Sequence, residues 1–193
     1  MNDLLMFDFE SFYDRIAEQM PHDCKVCEVG IANADSVIYL TQRLVELGKN
    51  PKVYAVDSMQ YGGFIQMKVI YQNIIKSGLG EYIEVIPKES LDAVNDFNDG
   101  YLDFVFIDSS HTYEQTKLEI PVWYKKCKDE AILSGHDFFA PEVNKAVIET
   151  IPDFFTRTDI KDRTFEPEQI LHSEDTRNHF GVWWLKKQWY IKL

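Results

Sequence analysis

Five apolar, strand-like runs recur along this chain: Lys25 to Ile31, Lys52 to Ser58, Tyr82 to Pro87, Leu102 to Ser109 and Ala131 to Phe138. Each is followed by a polar or helix-patterned segment, and that alternation constrains the fold more than any other feature. Strands separated by helices pair in parallel, and the helices are forced onto the two faces of the sheet. The intervening helices read as Ser36 to Leu47 before Gly48, Gly63 to Lys76 before Ser77-Gly78, Tyr113 to Lys128, and Glu142 to Thr150 before Pro152. Upstream, Phe9, Phe12, Tyr13, Ile16 and Met20 share one helical face and Pro21 closes it, which predicts a cover helix across the sheet. Past Pro152 the pattern weakens. Phe154 to Ile160 reads as a further strand, Phe180 to Lys186 as a final one, and residues 159–175 as a loop-like flap over the site. The expectation is an α/β, Rossmann-like, doubly wound single domain over 1–193, with the cover helix in 1–24 and the core in 25–193.

With 193 residues and 45% hydrophobic content, the chain supports one well-formed core and is short for two. Its 32 acidic against 20 basic residues give a net charge of −12, which repels polyphosphate and anionic lipid. Nucleic acid and membrane are therefore not the expected partners. The first residues lack a basic, then apolar, leader pattern and no uncharged run approaches the roughly 20 residues of a span, so a cytoplasmic protein is expected. Cys24-Lys25-Val26-Cys27 has the spacing of a redox or metal pair, but Cys27 lies in an apolar alternation and no second pair or histidine cluster completes a zinc site. Cys24, Cys27 and Cys127 read as structural.

In an open parallel sheet, ligands bind beyond the carboxyl ends of the strands, near the point where strand order reverses. The first such end is Glu28-Val29-Gly30-Ile31-Ala32-Asn33-Ala34-Asp35-Ser36, a strand turning into a helix through small residues. Small residues let backbone approach a ligand, and the helix start presents free N–H groups. The second strand ends at Asp57-Ser58, where an acid can accept from a ribose diol. A nicotinamide-dependent oxidoreductase is the weaker alternative. It calls for G-x-G-x-x-G to admit a pyrophosphate, whereas this loop has only Gly30, preceded by the carboxylate of Glu28. That acid suits a ligand carrying an ammonium and a sulfonium, as S-adenosylmethionine does.

Further along, the fourth run delivers Asp108-Ser109-Ser110-His111 and the fifth Gly135-His136-Asp137. On neighbouring parallel strands these ends are adjacent, so Asp108, Asp137 and His136 can converge. Two carboxylates so close need compensation, which Mg²⁺ or another divalent cation would provide. A histidine in the set shifts the donor chemistry toward transition metals. The plainer alternatives are a helix cap at Ser109 to Thr112, with His111 bonding loop backbone, and an ordinary turn at Gly135 to Asp137. Ser90 has a similarly plain reading as the N-cap of a helix from Leu91.

The loop after the first strand, Val53 to Asp57, Leu102 to His111 and Gly135-His136-Asp137 occur in the order found in class I methyltransferases. The chain resembles the small-molecule O-methyltransferase-like branch grouped as methyltransferase family 24, over roughly Phe9 to Glu149 and the closing strand. The resemblance implies a seven-stranded, mainly parallel sheet with the last strand antiparallel. It implies S-adenosylmethionine held by Glu28, Gly30, Ala32, Ala34, Ser36, Asp57, Ser58, Ser90 and Asp108, with Ser36 at the cofactor's carboxylate and Ser90 near adenine. The branch usually shows E-x-G-x-x-x-G-x-S, and here the second glycine is Ala34. An alanine where positive φ is required costs about 1 kcal/mol or more, so Ala34 either takes an ordinary conformation or weakens binding.

A second likeness, to catechol and caffeoyl-CoA O-methyltransferases, implies Asp108 and Asp137 as metal ligands, with His136 in place of a carboxylate. It places His111 at the general base, and a histidine accepts a proton near neutral pH without a large shift. The expected activity is methyl transfer to a small-molecule acceptor, which the sequence does not identify. A degenerate module that binds S-adenosylmethionine without turnover is the other alternative, since Ala34 and His136 are departures of that kind. Tyr113, Phe138 and Phe139 could wall the acceptor pocket, and Trp183, Trp184, Trp189 and Tyr190 suggest a homodimer contact.

Overall fold

The computed structural model describes residues 7, 9–155 and 181–187. Its elements alternate as the apolar runs require: α1 Glu10–Gln19, β1 Lys25–Val29, α2 Asp35–Glu46, β2 Lys52–Val56, α3 Gly63–Ser77, β3 Ile83–Ile86, α4 Ser90–Ala93, β4 Leu102–Ile107, α5 Tyr113–Lys126, β5 Cys127–Gly135, α6 Pro141–Phe155 and β6 Trp183–Lys186. Among the described residues the sheet has six strands in the order β3-β2-β1-β4-β5-β6, all parallel except β6, which pairs with β5 antiparallel.

Side chains alternate between two buried clusters because the strands are covered on both faces. Val26, Val53, Ala55, Phe104 and Phe106 pack with α1, α2 and α3 on one face. Cys27, Val29, Val105, Ile107 and Leu133 pack with α5 and α6 on the other, around Trp123 and Trp183. The register between β4 and β5 shifts between Leu102 and Phe104, and this break in alternation lets Leu102 join the second cluster. Asp103, at the break, accepts from the Lys25 N–H at 2.8 Å and pairs with Lys128 Nζ at 2.8 Å.

Several expected boundaries move. α6 runs on through Pro152 to Phe155, so Phe154 and Phe155 are helical and not the start of a strand, and 156–160 lie outside the described residues. Pro152 forfeits one backbone hydrogen bond without ending the helix, as Pro121 does inside α5. Lys128, expected at the end of a helix, is already in β5, which begins directly at Cys127. The expected flap at 159–175 lies outside the described residues. Trp183 is a core residue and Trp184 packs against the first cluster, so neither needs a second chain; Trp189 and Tyr190 lie outside the described residues. No described helix is long and apolar enough to cross a membrane.

The strand order places the site. From β1 the chain steps outward through β2 to β3, then returns to pair β4 with the other side of β1, so the carboxyl ends of β1 and β4 flank the topological switch point.

Candidate active site

At that switch point the loops after β1 and β4 touch. Gly30 sits at φ +87°, and a Cβ built on it would lie 2.0 Å from the carbonyl oxygen of Asp108. Glycine is required twice over, by conformation and by contact. The Gly30 N–H donates to Val56 O at 2.8 Å and the Asp108 N–H to Val29 O at 2.7 Å, so three strand ends are tied together. Ala34 takes the left-handed conformation, φ +73°, as the buried residue preceding α2, and Ala32 is also left-handed at φ +44°. The glycine-like turn is kept at a cost of about 1 kcal/mol or more at Ala34.

Glu28 is buried on β1, facing the α1 side. Tyr13 of α1 donates its hydroxyl to Oε2 at 2.8 Å, and the Ser36 hydroxyl donates to Oε1. Burial pushes the Glu28 carboxyl up to about 8 against the lowering effect of those two donors. Tyr13 reads from the sequence only as part of an apolar stripe. The available signal was its hydroxyl, which a fully buried position obliges to find a partner. Asp57, at the end of β2, accepts the Ile31 N–H at 3.1 Å and the Met59 N–H at 2.7 Å, which fixes it across the mouth of the Gly30 loop. Ser58 beside it is half-buried, while Ala32 is exposed at the loop tip.

Glu28, Gly30, Ala34, Ser36, Asp57 and Asp108 therefore converge, as expected for one ligand site. Among the described residues no lysine or arginine pairs with Glu28, Asp57 or Asp108. These acceptor groups, with no basic side chain of that kind beside them, fit a ligand that presents ammonium and hydroxyl donors and do not fit a pyrophosphate. Ser90 lies apart from this group. It opens α4 without capping it. Its buried hydroxyl accepts from Trp123 Nε1 at 2.9 Å, while the nearby carboxylate of Glu119 accepts from the Ser109 hydroxyl at 2.6 Å.

The second constellation forms at the ends of β4 and β5. His111 Nε2 lies 2.9 Å from Asp137 Oδ2 and 3.5 Å from Asp108 Oδ1. His136 Nδ1 lies 3.6 Å from Asp108 Oδ1 and 3.5 Å from Asp137 Oδ1, with its ring against Phe9 at 4.9 Å between centroids. Burial pushes Asp108 up, but the two histidines more than offset it and hold its carboxyl at about 2. The close carboxylates of Asp108 and then Asp137, against opposing desolvation, raise His111 to about 10. Arranged this way, His111 is a cation bridging two acids. Thr112 starts α5 without a side-chain cap, so the plain cap reading of this segment does not hold.

One ligand atom each from Asp108, His111 and Asp137 fall within 4.8 Å of one another, a spacing that a single ion can span. Asp137 Oδ2 is buried, and its short approach to His111 is not an aligned hydrogen bond, which leaves a lone pair without a directed donor. Asp137 itself is held at φ +57°. Two hard carboxylates, one with an orphaned oxygen, fit a divalent cation, and the imidazole broadens the choice beyond Mg²⁺.

The remaining candidates are structural or peripheral. Cys24, Cys27 and Cys127 are unpaired, buried thiols, and burial pushes all three upward, Cys24 to about 11 and Cys127 to about 12, away from thiolate chemistry. Phe138 is core, whereas Phe139 is exposed beside the Asp137 turn. Tyr113 turns toward α6, where its hydroxyl donates to Glu149 Oε2 at 2.5 Å.

Comparison with known proteins agrees with this architecture. Cofactor-bound Rv0187 from MTB superposes with a TM-score of 0.71 at 15% identity, covering 97% of this chain and 84% of that one. An O-methyltransferase from Bacillus cereus in complex with SAH gives 0.67 at 14%, covering 92% and 80%. An rRNA methylase from Streptococcus thermophilus gives 0.66 at 12%, covering 96% and 99%, so the neighbours lend no support to the expectation that nucleic acid is excluded. No curated protein matches by sequence. A family model described as a methyltransferase domain matches residues 27–138, from the middle of β1 to just past Asp137. The match takes in both constellations and more than half of the sequence, and the chain belongs to this methyltransferase domain family, methyltransferase family 24, of the class I S-adenosylmethionine-dependent enzymes.

Proposed function

We propose that this enzyme methylates a hydroxyl of a small molecule, with Asp108 and Asp137 holding a divalent cation and His111 taking the hydroxyl proton. The observation that carries the reading is the Asp108, His111 and Asp137 cluster beside the switch point. S-adenosylmethionine supplies an electrophilic methyl on sulfur, and a bound divalent cation supplies acidity to an oxygen placed on it. The chain's own work is alignment and proton control. The Gly30 loop, Glu28 and Asp57 hold the donor, and the rigid ends of β4 and β5 hold the acceptor. A cation held by Asp108 and Asp137 would relieve the pull that charges His111 and leave its imidazole free to accept the hydroxyl proton. Asp108 adjoins both halves, since its backbone abuts Gly30 while its carboxylate meets the histidines.

A small acceptor is favoured over RNA by the net charge of −12 and by the acidic character of both loop clusters. The description of the Bacillus cereus neighbour as an O-methyltransferase supports the choice of oxygen. The test is transfer of labelled methyl from S-adenosylmethionine to a panel of vicinal diols and phenols, with Mg²⁺, with Mn²⁺ and with chelator. Labelled product that disappears with chelator and in Asp137→Asn is expected. Equal labelling with chelator removes the cation from the mechanism, and labelling of rRNA in place of the panel overturns the acceptor.

A further inference from the structure

Helix α3 is apolar on both of its sides. Ile70 and Ile74 are buried in the first cluster, and Met67 packs against it. On the outer side Phe64, Ile65 and Ile75 are each at least 74% exposed and Tyr71 is 44% exposed, with Tyr61, just ahead of the helix, at 85%. At 100° per residue the four on the helix fall within one stripe, about a third of its circumference, that runs nearly its whole length. A helix that is apolar all round is ordinarily covered all round, and here the outer side is left open. The flanks of α3 serve the ligand loop instead: Gln66 Nε2 donates to Ala32 O at 3.2 Å and Asn73 Nδ2 to Asn33 O at 2.9 Å. The outer stripe supplies neither bond.

The same segment is the longest stretch of the chain without an acid. No Asp or Glu occurs between Asp57 and Glu81, although the chain carries 32 of them and a net charge of −12. Copies of so acidic a protein repel one another over most of their surface, and their approach is least opposed at α3. Lys68 and Lys76, exposed on this helix, pair with no carboxylate among the described residues. A second copy brings carboxylates to them, while their aliphatic stems can lie along the apolar stripe.

Aromatic side chains present about 150–250 Å² each, so the exposed fractions leave on the order of 600 Å² of apolar surface on one copy. That is at the top of what a lone chain exposes in one patch, about 300–600 Å². Doubled across a two-fold axis it comes to about 1,200 Å², where stable interfaces begin. We propose that two copies of this chain dimerise through the outer stripe of α3, each covering the other's Phe64, Ile65, Tyr71 and Ile75. The contact is thus placed on α3, and not on Trp183 and Trp184, which pack within their own chain.

Sedimentation equilibrium of the full chain at micromolar concentrations tests this, with the double variant Phe64→Glu, Ile75→Glu compared with a control, Leu118→Glu, at an exposed apolar position of α5. Wild type and the control should show twice the chain mass with the same dissociation constant. The double variant should be monomeric, its dissociation constant raised about a hundredfold or more, with melting unchanged in dilute solution. Raising salt from about 0.1 M to about 1 M should leave the wild-type dimer intact or tighten it, because repulsion between like-charged copies is screened. Wild type that stays monomeric overturns the proposal, as does a dimer that the double variant preserves or that salt dissolves. Binding of wild-type monomer to phosphatidylserine vesicles, lost in the double variant, assigns the stripe to a membrane and overturns it too. If the double variant does not fold, Tyr61→Ser combined with Ile65→Ser decides the matter by the same mass.

Discussion

Replacing Gly30 by alanine isolates the contact on which the site is built. Two costs combine there. The left-handed conformation, φ +87°, costs an alanine about 1–2 kcal/mol. The new Cβ also falls 2.0 Å from Asp108 O, 2.4 Å from its carbonyl carbon and 2.7 Å from Ser109 Cα, all backbone atoms that cannot swing aside. Forcing them apart costs about 1–3 kcal/mol by analogy with overpacked cores. Gly48 is the internal control, because its φ is +70° and nothing lies within 4 Å of its would-be Cβ. Gly48→Ala should therefore lose only the conformational part, and Gly30→Ala about 2–5 kcal/mol in total, read as the shift in urea midpoint at constant slope. The same variant should lose measurable S-adenosylhomocysteine binding, since the β1 and β4 loops can no longer close on each other. Equal destabilisation by the two substitutions would refute the claim that the strand ends are in contact.

Asp57→Ala removes the acceptor for the Ile31 and Met59 N–H groups and should weaken S-adenosylhomocysteine by about 1–3 kcal/mol in calorimetry, an effect that Asn only partly restores. Ala34→Gly should leave the fold as stable or up to about 1 kcal/mol more stable, because relief of the left-handed strain opposes the greater freedom of the unfolded chain; a loss in the urea midpoint contradicts the strain. His111 has its folded pKa raised to about 10, so its contribution to stability is complete below about 6.5 and is lost as pH rises toward 10; the metal-free melting temperature of His111→Gln should fall less steeply across that window than that of wild type. Asp108, depressed to about 2, contributes above about 4 and loses that contribution as pH falls toward 2, so Asp108→Asn should flatten the acid limb of the same curve. His111→Ala should retain S-adenosylhomocysteine binding and lose turnover, and a parallel loss of both would place the residue in cofactor binding instead.

What was legible in the sequence is what local pattern encodes. Leu102 to Ile107 reads as a doubly buried strand because every residue in it is buried, and the polar residues that follow each run announce the loops. The approach of Asp108, Asp137 and His136 followed from strand adjacency, whereas His111 was placed beside them only by resemblance. Partnerships across the chain were not legible. Tyr13 and Glu119 look respectively like stripe and surface residues until tertiary packing brings Glu28 to one and Ser109 to the other. Pro152 misled because helix-breaking is a local cost that a helix can absorb. Ala34 marked the reverse case, where the loop's closure onto Asp57 and β4 imposes a backbone conformation that the residue itself disfavours.

The antiparallel pairing of β6 gives the site an order of assembly. Trp183 presses so closely on Gly135 that a Cβ there would lie 2.5 Å from the indole, and the Phe138 N–H donates to Gly181 O at 3.1 Å, on the far side of the Asp137 turn. During synthesis the Gly30 and Asp57 loops have all their sheet partners once β4 has emerged, but the Asp137 turn lacks its backing until Gly181 and Trp183 appear. The Gly30 and Asp57 loops can thus be framed before the Asp137 turn is. On the proposed roles, a chain interrupted before Gly181 is expected to bind S-adenosylhomocysteine in calorimetry and to fail in methyl transfer.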